Sequence, residues 1–113
     1  MKALMDTHTL LWWLDGDEHL SLVARRWIET DEHRILISAA SAWEIATKVR
    51  IGKLPGAQAV AANFHACVIN QGFTPLDITV DHALRAGSLP GPHRDPFDRM
   101  LIAQAQALNI PLI

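Results

Sequence analysis

The chain has 113 residues, half of them apolar and 19% charged, with a formal net charge of −2. That length supports one domain with a real core, the composition excludes disorder, and the charge excludes a broad basic footprint for nucleic acid. The single Cys67 excludes an intramolecular disulfide and a cysteine-rich zinc site.

Lys2 to Met5 is a short apolar strand in prospect. No long apolar run follows it, so no secretory signal is expected, and no stretch approaches the ~20 residues that span a bilayer. A soluble cytoplasmic protein is the expectation. From Thr7, the residues Leu10, Leu11, Trp13 and Leu14 read as a helix stopped by Asp15-Gly16-Asp17. Ser21 suits the N-cap of a helix reaching about Thr30. Arg34 to Ser38 is a β-branched run with polar flanks, hence a buried strand. Ser41 to Arg50 reads as the next helix, and Ala57 to Gln71, rich in alanine, as another. Phe73 to Ile78 is a strand whose Pro75 places it at an edge or an end. Thr79 caps a short helix through Ala86, and a Gly- and Pro-rich loop covers 87–94. Asp95-Pro96 opens the last helix, which ends at Asn109, and Ile110 to Ile113 begins a fourth strand. Strands separated by one or two helices predict an α/β fold with a parallel sheet and helices on both faces.

Four carboxylates lie at predicted helix starts: Asp6, Glu44, Asp95 and Asp98. Each has a local explanation. Asp6 suits the N-cap of the helix at Thr7, and Ser41 with Glu44 matches a capping box. Asp95 is a cap followed by Pro at the first helical position, and Asp98 sits in the first turn, where the helix dipole favours an anion. Capping does not require the caps to converge, however, whereas the strand-to-helix junctions of one parallel sheet do converge. Asp95 and Asp98 are three apart and share a helical face. The expected result is an acidic pocket without a basic partner inside it. Hard oxygen donors from separate elements suit Mg²⁺ or Mn²⁺ rather than zinc, and such a site supports metal-assisted phosphodiester hydrolysis.

The segments MDTHTLLWWL, SAASAWEIATKVRIGKL and HRDPFDRMLIAQAQALNIPLI, in this order and spacing, resemble a PIN-domain protein, and more narrowly the VapC-type ribonuclease toxins of toxin–antitoxin modules. The resemblance covers essentially residues 1–113, taken as one domain. It implies a three-layer α/β/α sandwich with a central parallel sheet, Mg²⁺- or Mn²⁺-dependent cleavage of RNA, a homodimer, and neutralisation by a cognate antitoxin. Carried over, Asp6, Glu44 and Asp98 are the metal ligands, with Asp95 a ligand, a supporting group or a cap. Family members usually finish the fourth strand and add an S/T-x-D-like segment with another acid, which is not found before Ile113. A catalytically impaired PIN-fold binding module that keeps its dimer and antitoxin contacts is therefore the alternative.

Thr7 and Ser41 are candidates for orienting ligands or substrate, with capping the simpler role, and His93 and Arg94 are candidates for touching a substrate phosphate. Lys48, Arg50 and Lys53 fit the ordinary preference for cations at a helix C-terminus. Trp12 and Trp13 are adjacent and point in different directions, so one of them is a candidate interface anchor. The remaining histidines show no metal-ligand spacing, and Ser38 and Ser41 lack a His–Asp arrangement.

Overall fold

Ala3, Leu4, Met5, Ile35, Leu36 and Ile37 are all buried, so the first two strands are covered on both faces, as a parallel sheet requires. The structure is a computed structural model, and it describes residues 1–92 and 94–113. In chain order it places β1 at Lys2–Leu4, α1 at Thr7–Asp15, α2 at Leu22–Glu29, β2 at Arg34–Ser38 and α3 at Ala39–Arg50. There follow α4 at Gln58–Ala62, α5 at Phe64–Asn70, β3 at Thr74–Leu76, α6 at Val80–Ser88 and α7 at Pro96–Leu108.

The strands run parallel in the order β1-β2-β3, with Leu4 beside Leu36 and Leu36 beside Thr74. On the free side of β1, Leu112 forms a parallel bridge with Leu4, the start of the expected fourth strand. Successive strand residues point to opposite faces. Met5, Ile35 and Ile37 therefore pack with Leu10, Ile28, Ile45, Val68 and Phe73 on one side of the sheet. Leu4 and Leu36 pack with Ala40, Leu101 and Ala105 on the other. This alternation produces the α/β/α layering expected from the sequence.

Three local expectations change. The helix expected from Ala57 to Gln71 is two helices, broken at Asn63, whose backbone sits at φ −129° and ψ 33°. The Asn63 side chain donates 3.1 Å to the carbonyl of Ala59, the kind of local bond by which asparagine competes with helix geometry. The third helix starts earlier than Ser41, because Ser38, the last residue of β2, caps it through Ala40 N–H at 2.9 Å. The strand around Pro75 shrinks to three residues at the sheet edge, where an exposed proline lacking an N–H is tolerated. The last helix does end at Asn109, which adopts the left-handed cap conformation at φ 54°.

Helices α6 and α7 form a pair joined by Arg99. Its Nε donates to the carbonyl of Ala86 at 3.0 Å, and Nη2 donates to those of Gly87 at 3.4 Å and Leu89 at 2.7 Å. These carbonyls belong to the end of α6, where helix geometry leaves acceptors without partners. Arg99 therefore caps one helix from the first turns of the next. Arg99→Ala is expected to lower unfolding stability by about 1–3 kcal/mol, the cost of removing charge-assisted bonds and leaving carbonyls unpaired. Arg99→Lys, a single point charge without the planar fork, is expected to recover less than half of that loss. Chemical denaturation of the three proteins checks both outcomes.

Candidate active site

Asp6 stands just beyond the carboxyl end of β1, and Ser38 ends the neighbouring β2 and launches α3. The sheet thus delivers two adjacent strand ends to one rim, where open α/β sheets place their ligands. Asp6 is half-buried and caps α1, its Oδ2 accepting from His8 N–H at 3.0 Å. Its own backbone is held by the end of the chain: Asp6 N–H donates to the carbonyl of Ile113 at 2.7 Å.

Because Ser38 takes the cap of α3, Ser41 and Glu44 lie inside the helix, so the capping box expected for them does not form. Ser41 is fully buried and shares a 2.9 Å hydrogen bond with Thr7 Oγ1, also buried. The residue after Asp6 is thereby tied to the residue three before Glu44. Glu44 is 2% exposed and forms an ion pair with Lys48, one helical turn on. Asp95 caps α7, its Oδ1 accepting from the N–H groups of Phe97 at 2.8 Å and Asp98 at 3.2 Å. Asp98 lies in the first turn of that helix, with its side chain towards the same rim.

Electrostatics shows that the four acids share one field. The Asp98 carboxyl is raised above its ordinary value, first by partial desolvation and then by the negative charges of Asp95, Glu44 and Asp6. The Lys48 ammonium is raised as well, first by its hydrogen bond to Glu44 and then by the charges of Glu44, Asp95 and Asp98. The pocket expected to hold no basic partner therefore holds Lys48. Its i, i+4 spacing from Glu44 carries the signal, which reading Lys48 as a helix-end cation passed over.

Four carboxylates against one ammonium leave the rim strongly negative. Among the described residues, no three carboxylate, imidazole or thiol side chains converge closely enough to form a ready-made chelate. The donor chemistry nonetheless fits a hard divalent cation: the donors are oxygens, one is deeply buried, and their repulsion raises Asp98. The described hydrogen bonds engage one carboxylate oxygen on each of Asp6, Glu44 and Asp95.

Of the remaining candidates, Thr7 and Ser41 are buried and bonded to each other. They support the acids from behind and do not face solvent. Arg94 is exposed beside Asp95, and His93 lies outside the described residues. Trp12 and Trp13 are both partly buried. Trp12 stacks on His19 with 5.6 Å between ring centroids, and Trp13 donates 2.8 Å to Gln71 and packs on Phe73. The exposed tryptophan is Trp43, which the sequence reading did not single out.

Comparison with known proteins agrees with this layout. A family model described as PIN domain matches residues 3–113. The chain is also similar to Ribonuclease VapC16 of Mycobacterium tuberculosis (strain H37Rv), at 43% identity over 56 residues. That stretch is 50% of this chain and 38% of that protein, so the likeness spans well under two thirds of the relative. With the family model covering all but the first two residues, the chain belongs to the PIN-domain family.

Proposed function

We propose that this protein is a VapC-type endoribonuclease toxin that hydrolyses RNA phosphodiester bonds with Mg²⁺ or Mn²⁺ and is neutralised by a cognate antitoxin. The observation that supports the reading is that Asp6, Glu44, Asp95 and Asp98, from three separate elements, share one field, in which partial desolvation first and the charges of the other three acids next raise Asp98. In this reading Asp6, Glu44 and Asp98 hold the ion, and Asp95 fixes the start of α7 beside it. The ion supplies an activated water and counter-charge for the phosphoryl oxygens. Glu44 reaches it from a dry wall, which strengthens its attraction to a cation, and the Thr7–Ser41 bond keeps Asp6 and Glu44 in register. Lys48 balances Glu44 until the ion enters.

The similarity to a protein named a ribonuclease supports RNA as the substrate. Exposed apolar residues on α2 (Leu22 and Val23) and on α6 (Val80 and Leu84) supply surface for a homodimer and for an antitoxin. Among the described residues no helix is long and apolar enough to cross a membrane; action in the cytoplasm as one PIN-like domain is part of the proposal. The Lys48 pairing favours a second reading, a PIN-fold binding module without a competent site.

Calorimetric titration with Mn²⁺, alongside RNA cleavage with and without EDTA, separates the two. The enzyme reading expects one saturable Mn²⁺ site and cleavage that EDTA stops. No saturable site and no cleavage would leave the binding module.

A further inference from the structure

Two of the rim acids are each preceded in sequence by an aromatic residue, Trp43 before Glu44 and Phe97 before Asp98. The two rings meet edge to face, with centroids 4.7 Å apart and an interplanar angle of 79°. Phe97 is buried at the start of α7 and forms a fixed stop against the indole, whereas Trp43 remains 56% exposed. Among the described tryptophans and phenylalanines Trp43 is the one that the fold leaves this open. Its contact with Phe97 makes that exposure informative, because it seats the indole on the seam between α3, which carries Glu44, and the start of α7, which carries Asp95 and Asp98.

A protein of net charge −2 with four acids at its rim cannot attract a polyanion through a basic surface. Beyond what a cation at the rim supplies, affinity for a nucleic acid can come from contacts indifferent to phosphate charge. Stacking of an unpaired base on an exposed indole is such a contact, and it tolerates any base because every base has a π face. A base inside a duplex is already stacked and has no face to offer.

We propose that Trp43, held by Phe97, is the stacking platform for one unpaired nucleobase beside the scissile phosphate, so that the site takes single-stranded or looped RNA. This rests on the ribonuclease reading of the rim. The edge-to-face contact restrains the plane of the indole, and with it the orientation of a base stacked on it. Trp43 binds and positions; it exchanges no proton or electron with the substrate.

The test uses binding as well as cleavage. Fluorescence anisotropy of a labelled single-stranded RNA decamer is measured with D98N protein, and with the same protein carrying W43A or W43F. The W43A change is expected to weaken binding on the order of tenfold, and W43F to stay within about threefold of the parent. Removing the base at one position of the decamer should weaken binding to the parent by the same factor and leave binding to the W43A protein unchanged. A fully paired RNA of equal length should bind all three proteins equally weakly. The stacking proposal is overturned if W43A binds the decamer as well as the parent, or if the base-removal and W43A effects simply add at every position. It is also overturned if W43A lowers the mass in light scattering, which would make Trp43 a contact between copies, or if no decamer binding is measurable. Absence of cleavage by the unmodified chain, with the anisotropy pattern intact, would remove the enzyme reading and leave the stacking site standing.

Discussion

Asp98→Asn is expected to lower divalent-dependent RNA cleavage by more than about 100-fold, the loss typical of removing a group that stabilises transition-state charge. In the same protein, metal-free thermal stability at pH 7 is expected to rise. The sign follows from the shift. Asp98 titrates above its ordinary 3.8 because partial desolvation and the charges of Asp95, Glu44 and Asp6 disfavour its anion. An acid whose native value is raised destabilises the fold above that value, and the penalty is relieved as pH falls through it towards 3.8. Asparagine removes the charge and with it the penalty. The stability advantage of the variant should shrink as the pH approaches 4 and invert nowhere in the acid range. Melting curves from pH 4 to 8, with cleavage assays at pH 7, check both halves. A variant that cuts RNA normally would remove Asp98 from the site, and one less stable at pH 7 would contradict the charge argument.

Lys48→Met is the second large effect, and it runs the opposite way. Glu44 is buried and its carboxylate depends on the Lys48 ammonium for counter-charge. Methionine keeps most of the aliphatic stem and removes the charge, leaving an anion in a dry wall. Removing one partner of a buried pair is costly because the other stays uncompensated. Since the lysine itself is a quarter exposed, a loss of about 2–3 kcal/mol is expected without metal. In the unmodified protein this contribution is present throughout the neutral range. A lysine whose native value is raised stabilises the fold at pH values below its ordinary 10.5, and that stability fades only as pH climbs through the raised value. Saturating Mn²⁺ should raise the melting temperature of Lys48→Met more than that of the parent, because the ion replaces the missing charge. Equal Mn²⁺ responses in the two proteins would mean that the ion and Lys48 do not serve the same carboxylate.

The sheet was legible because its signal is long and redundant: Arg34 to Ser38 is β-branched and apolar, and the helices that follow carry regular spacing. Asp6 was legible as a candidate because it stands at a strand end, and such ends gather at one rim, whereas Glu44 lies inside α3 and Asp95 and Asp98 open α7, which follows α6 and not a strand. What escaped was decided by competition over short distances. Ser38 and Ser41 are both sound caps, and nothing local says that the strand's last residue takes the role. Asn63 lies in an alanine-rich stretch of good helix formers, yet one side-chain bond to Ala59 breaks it. Lys48 looked like a helix-end cation because its rotamer, folded back onto Glu44, is a matter of tertiary packing. Trp43 was hidden for a related reason: its importance depends on Phe97, more than fifty positions away and brought alongside only by the packing of α7 on α3.

The Thr7–Ser41 hydroxyl bond gives the rim a mechanical asymmetry. Asp6 follows β1 and Glu44 lies in the helix that follows β2, and the 2.9 Å bond between Thr7 and Ser41 stitches those two segments together, so the two acids form one stiff jaw. Asp95 and Asp98 stand on the first turn of α7, which Phe97 seats against Trp43 of α3 and Arg99 ties to the end of α6, so they form a second jaw held at two points. A cation bound there would be held between the two jaws, Asp6 and Glu44 on one side and Asp98 on the other. The grip on an ion would then be set from one side by the Thr7–Ser41 bond and from the other by how firmly Phe97 and Arg99 hold the start of α7.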